Sequence, residues 1–183
     1  MFNQVPVSEL NARLARFIGI MNTSQPQWEM AIIINKINLY FFTGTMQEGM
    51  LIVSREGEPV LWVRRSYERA VSESLFARIR PMESFRDASA AYPAIPENVH
   101  LETSFIPVAF MKLLQKYFPF REALSLDSQV ALARSVKSAY ELNLIRKSGE
   151  LHRIVLEEKV PELLREGMSE VDLAGALYEE MLQ

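Results

Sequence analysis

Strand-like and helical segments alternate along the first 127 or so of the 183 residues, and this alternation predicts an α/β fold. A strand–turn–strand signal near the start adds an antiparallel pair, so the sheet is expected to be mixed, with helices on both faces. Beyond that point the pattern becomes helix only. A boundary is therefore expected near 127–135, with a first domain over 1–130 and a second segment over 131–183.

Each element has its own signal. Residues 9–21 place Leu10, Leu14, Phe17, Ile18 and Met21 three and four apart, an amphipathic helix with Ser8 as N-cap. A polar turn with Pro26 leads to 28–34, a short apolar, β-branched run expected as a buried strand. Residues 38–43 (NLYFFT) read as a second extended segment ended by Gly44. Residues 50–54 and 60–64 flank Arg55-Glu56-Gly57-Glu58-Pro59 as a hairpin. Residues 66–76 carry Tyr67, Ala70, Val71 and Leu75 on one helical face. A strand over 77–82 and a helix over 84–91, stopped by Pro93, follow. After the strand 98–102, Pro107 at the first helical position opens a helix through Phe110, Met111 and Leu114, closed by Pro119. The last strand is 123–126, and Asp127 or Ser128 caps the next helix. Pro161 should kink or restart the long helix, Gly167 should end it, and Ser169 with Asp172 should open the final one.

Composition excludes several classes. Apolar residues make up 49% and charged residues 23%, which suits a packed core and not a disordered chain. A net charge of −3 with no basic cluster argues against nucleic-acid binding. The N-terminus lacks a secretory pattern, and no apolar run approaches the ~20 residues that span a bilayer. Cysteine is absent, which removes disulfides and thiolate metal sites and fits a reducing cytoplasm.

Chemistry-bearing constellations are sparse. Gly44 and Gly49 enclose four residues, as in a phosphate-binding loop, but Met50 and Leu51 stand where Lys-Ser/Thr is required. The segment is expected to be a flexible loop between two strands. His100, inside a strand, reads as structural. His152 has Ser148, Leu156, Gly149 and Val155 three and four away, so no metal-ligand pair forms there. Arg64-Arg65 after a strand could clamp a carboxylate through bidentate donors, although a solvated strand end explains them as well. Tyr40-Phe41-Phe42 is expected in the core. Glu157, Glu158, Glu162 and Glu166 are expected to form a solvated helix face. No catalytic residue is assigned in this chain.

Three segments in order resemble the creatinase/prolidase/aminopeptidase P family of pita-bread metallopeptidases. Asn38-Leu39-Tyr40-Phe41-Phe42-Thr43-Gly44 is similar to the family's N-x-x-Y-x-T/S-G segment, with Tyr40 one position early. The strand–turn–strand of 50–65 leads into Tyr67-Glu68-Arg69-Ala70. Arg134-Ser135-Val136-Lys137-Ser138-Ala139-Tyr140-Glu141 is similar to the family's R-x-x-K-s-x-x-E helix start, and Gly167-Met168-Ser169-Glu170 matches its G-M-T/S-E turn. The resemblance implies a three-layer α/β/α domain with an RNase H-like layout, followed by the first helices of a pita-bread catalytic domain. It implies a Xaa-Pro dipeptidase or aminopeptidase as the parent, using two divalent ions (Mn, Co or Zn). The ligands of those ions are expected beyond Gln183, so no cofactor is assigned within this chain. It also implies a homodimer in which loops of this domain help close the partner's active site. By position the candidates are Thr45, Met46, Gln47 and Glu48, with Arg64 and Arg65.

Two readings follow. In the first, the chain is the catalytically silent N-terminal part of a Xaa-Pro peptidase-like hydrolase acting on proline-containing peptides. In the second, it is a self-sufficient module for dimerisation or small-ligand binding. The final helix carries no stop signal at Met181-Leu182-Gln183, which favours the first. Apolar faces from about residue 135 onward (Leu142, Ile145, Leu151, Val155; Val171, Leu173, Ala174, Leu177) suggest association in solution.

Overall fold

Six strands form one mixed sheet in the order β4-β3-β2-β1-β5-β6 in a computed structural model that describes residues 4–182. The strands are β1 (Met30–Ile33), β2 (Gly49–Ser54), β3 (Val60–Val63), β4 (Ile79–Pro81), β5 (Asn98–Leu101) and β6 (Glu122–Ser125). β2 pairs antiparallel with both β1 and β3, and the remaining pairs are parallel. Register follows the expected hairpin, with Ile52 opposite Val60 and Gly49 opposite Val63.

Strand side chains alternate between two cores, as the two-residue period requires. Ala31, Ile33, Leu51, Val53, Leu61 and Val63 face one side. There they meet α1 (Val7–Ser24), α2 (Lys36–Thr43), α3 (Tyr67–Glu73) and α6 (Asp127–Ser135) through Phe17, Phe42, Ala70 and Val130. Met30, Ile32, Met50, Ile52 and Trp62 face the other side. They pack on α4 (Phe85–Ser89) and α5 (Val108–Tyr117) through Ala88, Leu114 and Phe118. This is the three-layer α/β/α arrangement expected from the sequence. Phe42 is fully buried, so its truncation to alanine would cost about 3–5 kcal/mol.

One element differs in kind from the expectation. Residues 38–43 are helical, within α2, and not extended. Asn35 caps that helix, its side chain accepting from the Ile37 and Asn38 amides, and Gly44 closes it in the left-handed region at φ 77°. The aromatic run imitates a strand because both sides of this short helix are covered: Leu39, Phe41, Phe42 and Thr43 are all buried. Two helix starts also shift. α1 begins at Val7 after Pro6 without a side-chain cap, so Ser8 is inside the helix. α6 begins at Asp127 with no side-chain cap, because the Asp127 carboxylate accepts from Thr103 Oγ1, the Ser104 amide and Ser125 Oγ. Those bonds outweigh burial and hold its pKa below the usual carboxylate value.

The chain divides into two compact units, the first running to Val136 and the second starting at Lys137. The second holds α7 (Ala139–Ile154), a π-helical turn (Val155–Lys159), α8 (Val160–Leu163) and α9 (Glu170–Met181). Ser138 with Glu141 and Ser169 with Asp172 form capping boxes. The π turn has a local cause. Pro161 has no amide for the Glu157 carbonyl and its ring crowds that carbonyl, so the turn widens and the Val160 amide reaches back five residues to Val155. Arg153 bonds to Glu150, Glu157 and Glu158 on the exposed face. None of the described side chains on α7, α8 or α9 is buried, and Leu151 and Val171 are among the exposed apolar ones.

Candidate functional site

The sheet directions gather the loops at one edge. β1, β3, β4, β5 and β6 all run the same way, so their carboxyl ends and the start of β2 share that edge. Open α/β sheets bind ligands at such an edge, where successive connections leave to opposite faces. Here the connection after β1 leads to α2 in one layer, whereas that after the neighbouring β5 leads to α5 in the other.

All six residues singled out from sequence lie at this edge, in two groups. Thr45, Met46 and Gln47 line an open hollow of about 240 Å³ together with Tyr40, Arg69 and Glu73. Its organising group is Glu73. Thr45 Oγ1 (2.9 Å) and Gln47 Nε2 (3.1 Å) both donate to Glu73 Oε2, and Arg69 donates to Oε1. Burial pushes the Glu73 pKa up, but the bonds from Gln47, Arg69 and Thr45 prevail and the net shift is downward. Thr45 is buried and Met46 stands exposed at the crest. Glu48 belongs to the second group: it accepts from Arg64 at 3.1 Å, and Arg65 lies 3.6 Å away. Arg64 and Glu48 line a separate slot with Lys36 and Phe110. Ser66, directly after the arginines, is in the left-handed region at φ 57°, which turns the chain sharply into α3.

The loop itself is not a flexible strand connection, as the sequence suggested. It joins helix α2 to strand β2 and is fixed at both ends by glycine. Gly44 supplies the positive φ. At Gly49 a Cβ would lie 2.1 Å from the Trp62 carbonyl oxygen, so only glycine lets β2 approach β3 there.

Sequence reasoning missed Glu102. It is buried just past β5, and Oε2 accepts from the Ile34 amide (2.5 Å) and the Asn35 amide (2.7 Å). Oε1 accepts from Asn38 Nδ2 (2.5 Å), and Asn38 Oδ1 accepts in turn from Arg134 Nη1 (2.7 Å). Two segments of the sequence pattern, at Asn38 and Arg134, are thus bonded directly, and Glu102 holds Asn38 from its other side. The available signal was an acidic residue closing the otherwise apolar strand run of 98–102.

Neither histidine joins the edge cluster. His152 Nδ1 contacts the Ser148 carbonyl one turn back on its own helix. His100 is buried in β5, and neither ring nitrogen has a partner of normal geometry. Burial pushes its pKa down, offset only in part by the Met30 backbone. Among the described residues no group of three His, Asp or Glu side chains is placed to hold a metal ion. No described helix is long and apolar enough to cross a membrane.

The arrangement is that of an α/β domain presenting a loop edge braced by Glu73 and by the Arg64–Glu48 pair. Residues 13–136 match the Creatinase/Prolidase N-terminal domain, and the chain belongs to that family. It is 24% identical over 179 residues to an uncharacterized peptidase of Staphylococcus aureus (strain USA300), an alignment covering 93% of this chain and 50% of that protein. The fold is similar to the prolidase of Pyrococcus horikoshii OT3 (TM-score 0.78, 21% identity, 93% of this chain and 48% of that one). It is also similar to a Xaa-Pro dipeptidase from Bacillus anthracis (TM-score 0.77, 12% identity, 92% and 48%). A creatinase/prolidase N-terminal domain of an X-Pro dipeptidase from Streptococcus pyogenes covers 67% of this chain and 98% of its own length (TM-score 0.52, 19% identity). The chain spans about half the length of the curated relatives it matches.

Proposed function

We propose that this chain is the non-catalytic N-terminal part of a Xaa-Pro peptidase-like hydrolase, and that it contributes to dimerisation and to closing the partner subunit's active site. The observation that carries the reading is the family match over 13–136 in a chain that spans half of peptidase relatives. On this reading residues 1–130 are the N-terminal domain and 131–183 are the linker and first helices of a catalytic domain, with the compact units dividing at Val136. The two divalent ions of such an enzyme, Mn, Co or Zn, would be held by residues outside this chain, and they would activate water and polarise the scissile carbonyl. The substrate is a proline-containing peptide, and the setting is the cytoplasm.

The edge loop is suited to closing a neighbouring site. Thr45 and Gln47 are braced by Glu73, and Glu48 by Arg64, while Met46 projects outward. In the complete protein, alanine at Met46, Gln47 or Arg64 should raise KM or change substrate preference with little effect on stability; unchanged kinetics in all three would count against the loop's role. The exposed apolar side chains of the second unit favour self-association, so light scattering should give a dimer, and a monomer at high protein concentration would contradict that part.

A further inference from the structure

The geometry points to a binding site for a small apolar carboxylate in the slot beside the edge loop. It lies where open α/β sheets bind ligands, at the carboxyl ends of β1, β3 and β4. Ile34, Met82, Phe85 and Phe110 form its apolar walls, and Phe85 and Phe110 meet edge to face with ring centroids 5.5 Å apart. The slot is open on one side and its volume is about 90 Å³. A water molecule needs about 10–15 Å³ in this measure, so the slot takes a body of roughly six heavy atoms. One aliphatic or phenyl group fills it.

The mouth is polar and unbalanced. Lys36 and Arg64 both line it, Arg65 adds a third cation nearby, and Glu48 is the one anion among them. Among the described residues the Lys36 ammonium has no ion-pair or hydrogen-bond partner. The Arg64–Glu48 pair is half exposed, and such pairs are weak enough for an incoming carboxylate to compete for the guanidinium. An apolar wall under a net positive mouth selects an apolar body with a single anionic head. Neutral apolar molecules would lose the charge contact, and hydrophilic anions would lose the walls. The ligand is either a free acid or the carboxyl end of a peptide with an apolar last residue. This inference stands on the first unit alone and does not require that the parent be a peptidase.

The test is titration of the isotopically labelled 183-residue chain with 3-phenylpropanoate, N-acetyl-L-leucine and N-acetyl-L-leucinamide, followed by amide chemical shifts. The acids should bind saturably and move the amides of Ile34, Gly49, Phe85 and Phe110, and the leucinamide should not. Lys36→Met and Arg64→Gln should each weaken the acids about fivefold, as loss of one partly screened charge contact would. Glu48→Gln should tighten them, because it frees Arg64 and removes the only anion at the mouth. That reversal of sign is not expected of a residue that merely supports the fold. A preference for N-acetyl-L-leucine over phenylpropanoate identifies a peptide end as the ligand, and the reverse a free acid. Equal binding of the amide, no saturable shifts at 10 mM acid, or variants that leave affinity unchanged would each overturn the proposal. Peptide hydrolysis plays no part in any of these readouts.

Discussion

Replacing Glu102 by glutamine changes one atom in a buried site, yet it should destabilise the first unit by about 2–4 kcal/mol. The carboxylate accepts from two backbone amides on one oxygen and from Asn38 on the other. A glutamine oxygen can satisfy either the amide pair or Asn38, and its NH₂ then faces a donor at the remaining position. If Asn38 flips to accept from that NH₂, its own NH₂ confronts Arg134, whose bond to Asn38 Oδ1 is lost. One buried donor is therefore left unsatisfied in every arrangement, at about 1–3 kcal/mol, and the surviving bonds lose their charge assistance. An opposing effect exists, since glutamine removes the cost of desolvating a charge. It should not prevail, because three donors already replace the solvent shell. For a chain of this length each kcal/mol moves the melting temperature by about 2–4 °C, so a loss near 3 kcal/mol lowers it by about 6–12 °C. Urea and thermal unfolding followed by circular dichroism measure both quantities. A double-mutant cycle with Asn38→Ala should show coupling of about 0.5–3 kcal/mol. An E102Q chain as stable as the parent would refute the reasoning, for it would mean that the charge costs more than its three bonds return.

Other consequences follow from the same structure. Gly44→Ala should cost about 1–2 kcal/mol by forcing a side chain into the left-handed region, with no clash, since the nearest atom to its Cβ would be 3.6 Å away. Gly49→Ala should cost considerably more and weaken amide protection along β2 and β3, because its Cβ meets backbone at 2.1 Å. His100 has a depressed pKa in the fold, so the unfolded chain binds more protons below its ordinary value near 6.5. Stability should then fall as pH drops through that region, by at most about 1.4 kcal/mol per pH unit from this group, and His100→Leu should flatten the profile there. Ser138→Ala and Ser169→Ala should each lose about 0.5–2 kcal/mol of local helix stability, read as faster hydrogen exchange in the first turns of α7 and α9.

The sheet was legible because its signals are local. Strands β1 to β3 alternate or run apolar between clear turns, and the Arg55–Pro59 turn fixes the hairpin. Capping at Ser169 is equally local, with Asp172 three residues on; the boxes at Ser84 and Ser138 share that spacing and were not singled out. The α2 helix was not legible, because its apolar residues are buried on both sides and so lack a helical stripe. Its only local clue was Asn35 at the start. The edge residues could be placed by motif order, but their grouping could not. Glu73 reaches the loop from 26 positions away and Glu102 reaches the start of α2 from 68, and nothing in a single sequence reports such pairings. The apolar slot was invisible for the same reason, since its walls come from the residues just after β1 and β4 and from α4 and α5.

Hydrolysis of a Xaa-Pro dipeptide panel with Mn²⁺, Co²⁺ or Zn²⁺, run on this 183-residue chain beside the longest natural reading frame that contains it, decides whether the chain is the silent N-terminal part of a peptidase. Activity in the longer protein and none in this chain is the predicted result. Turnover by the 183-residue chain itself, or silence of both proteins across the panel, would contradict it.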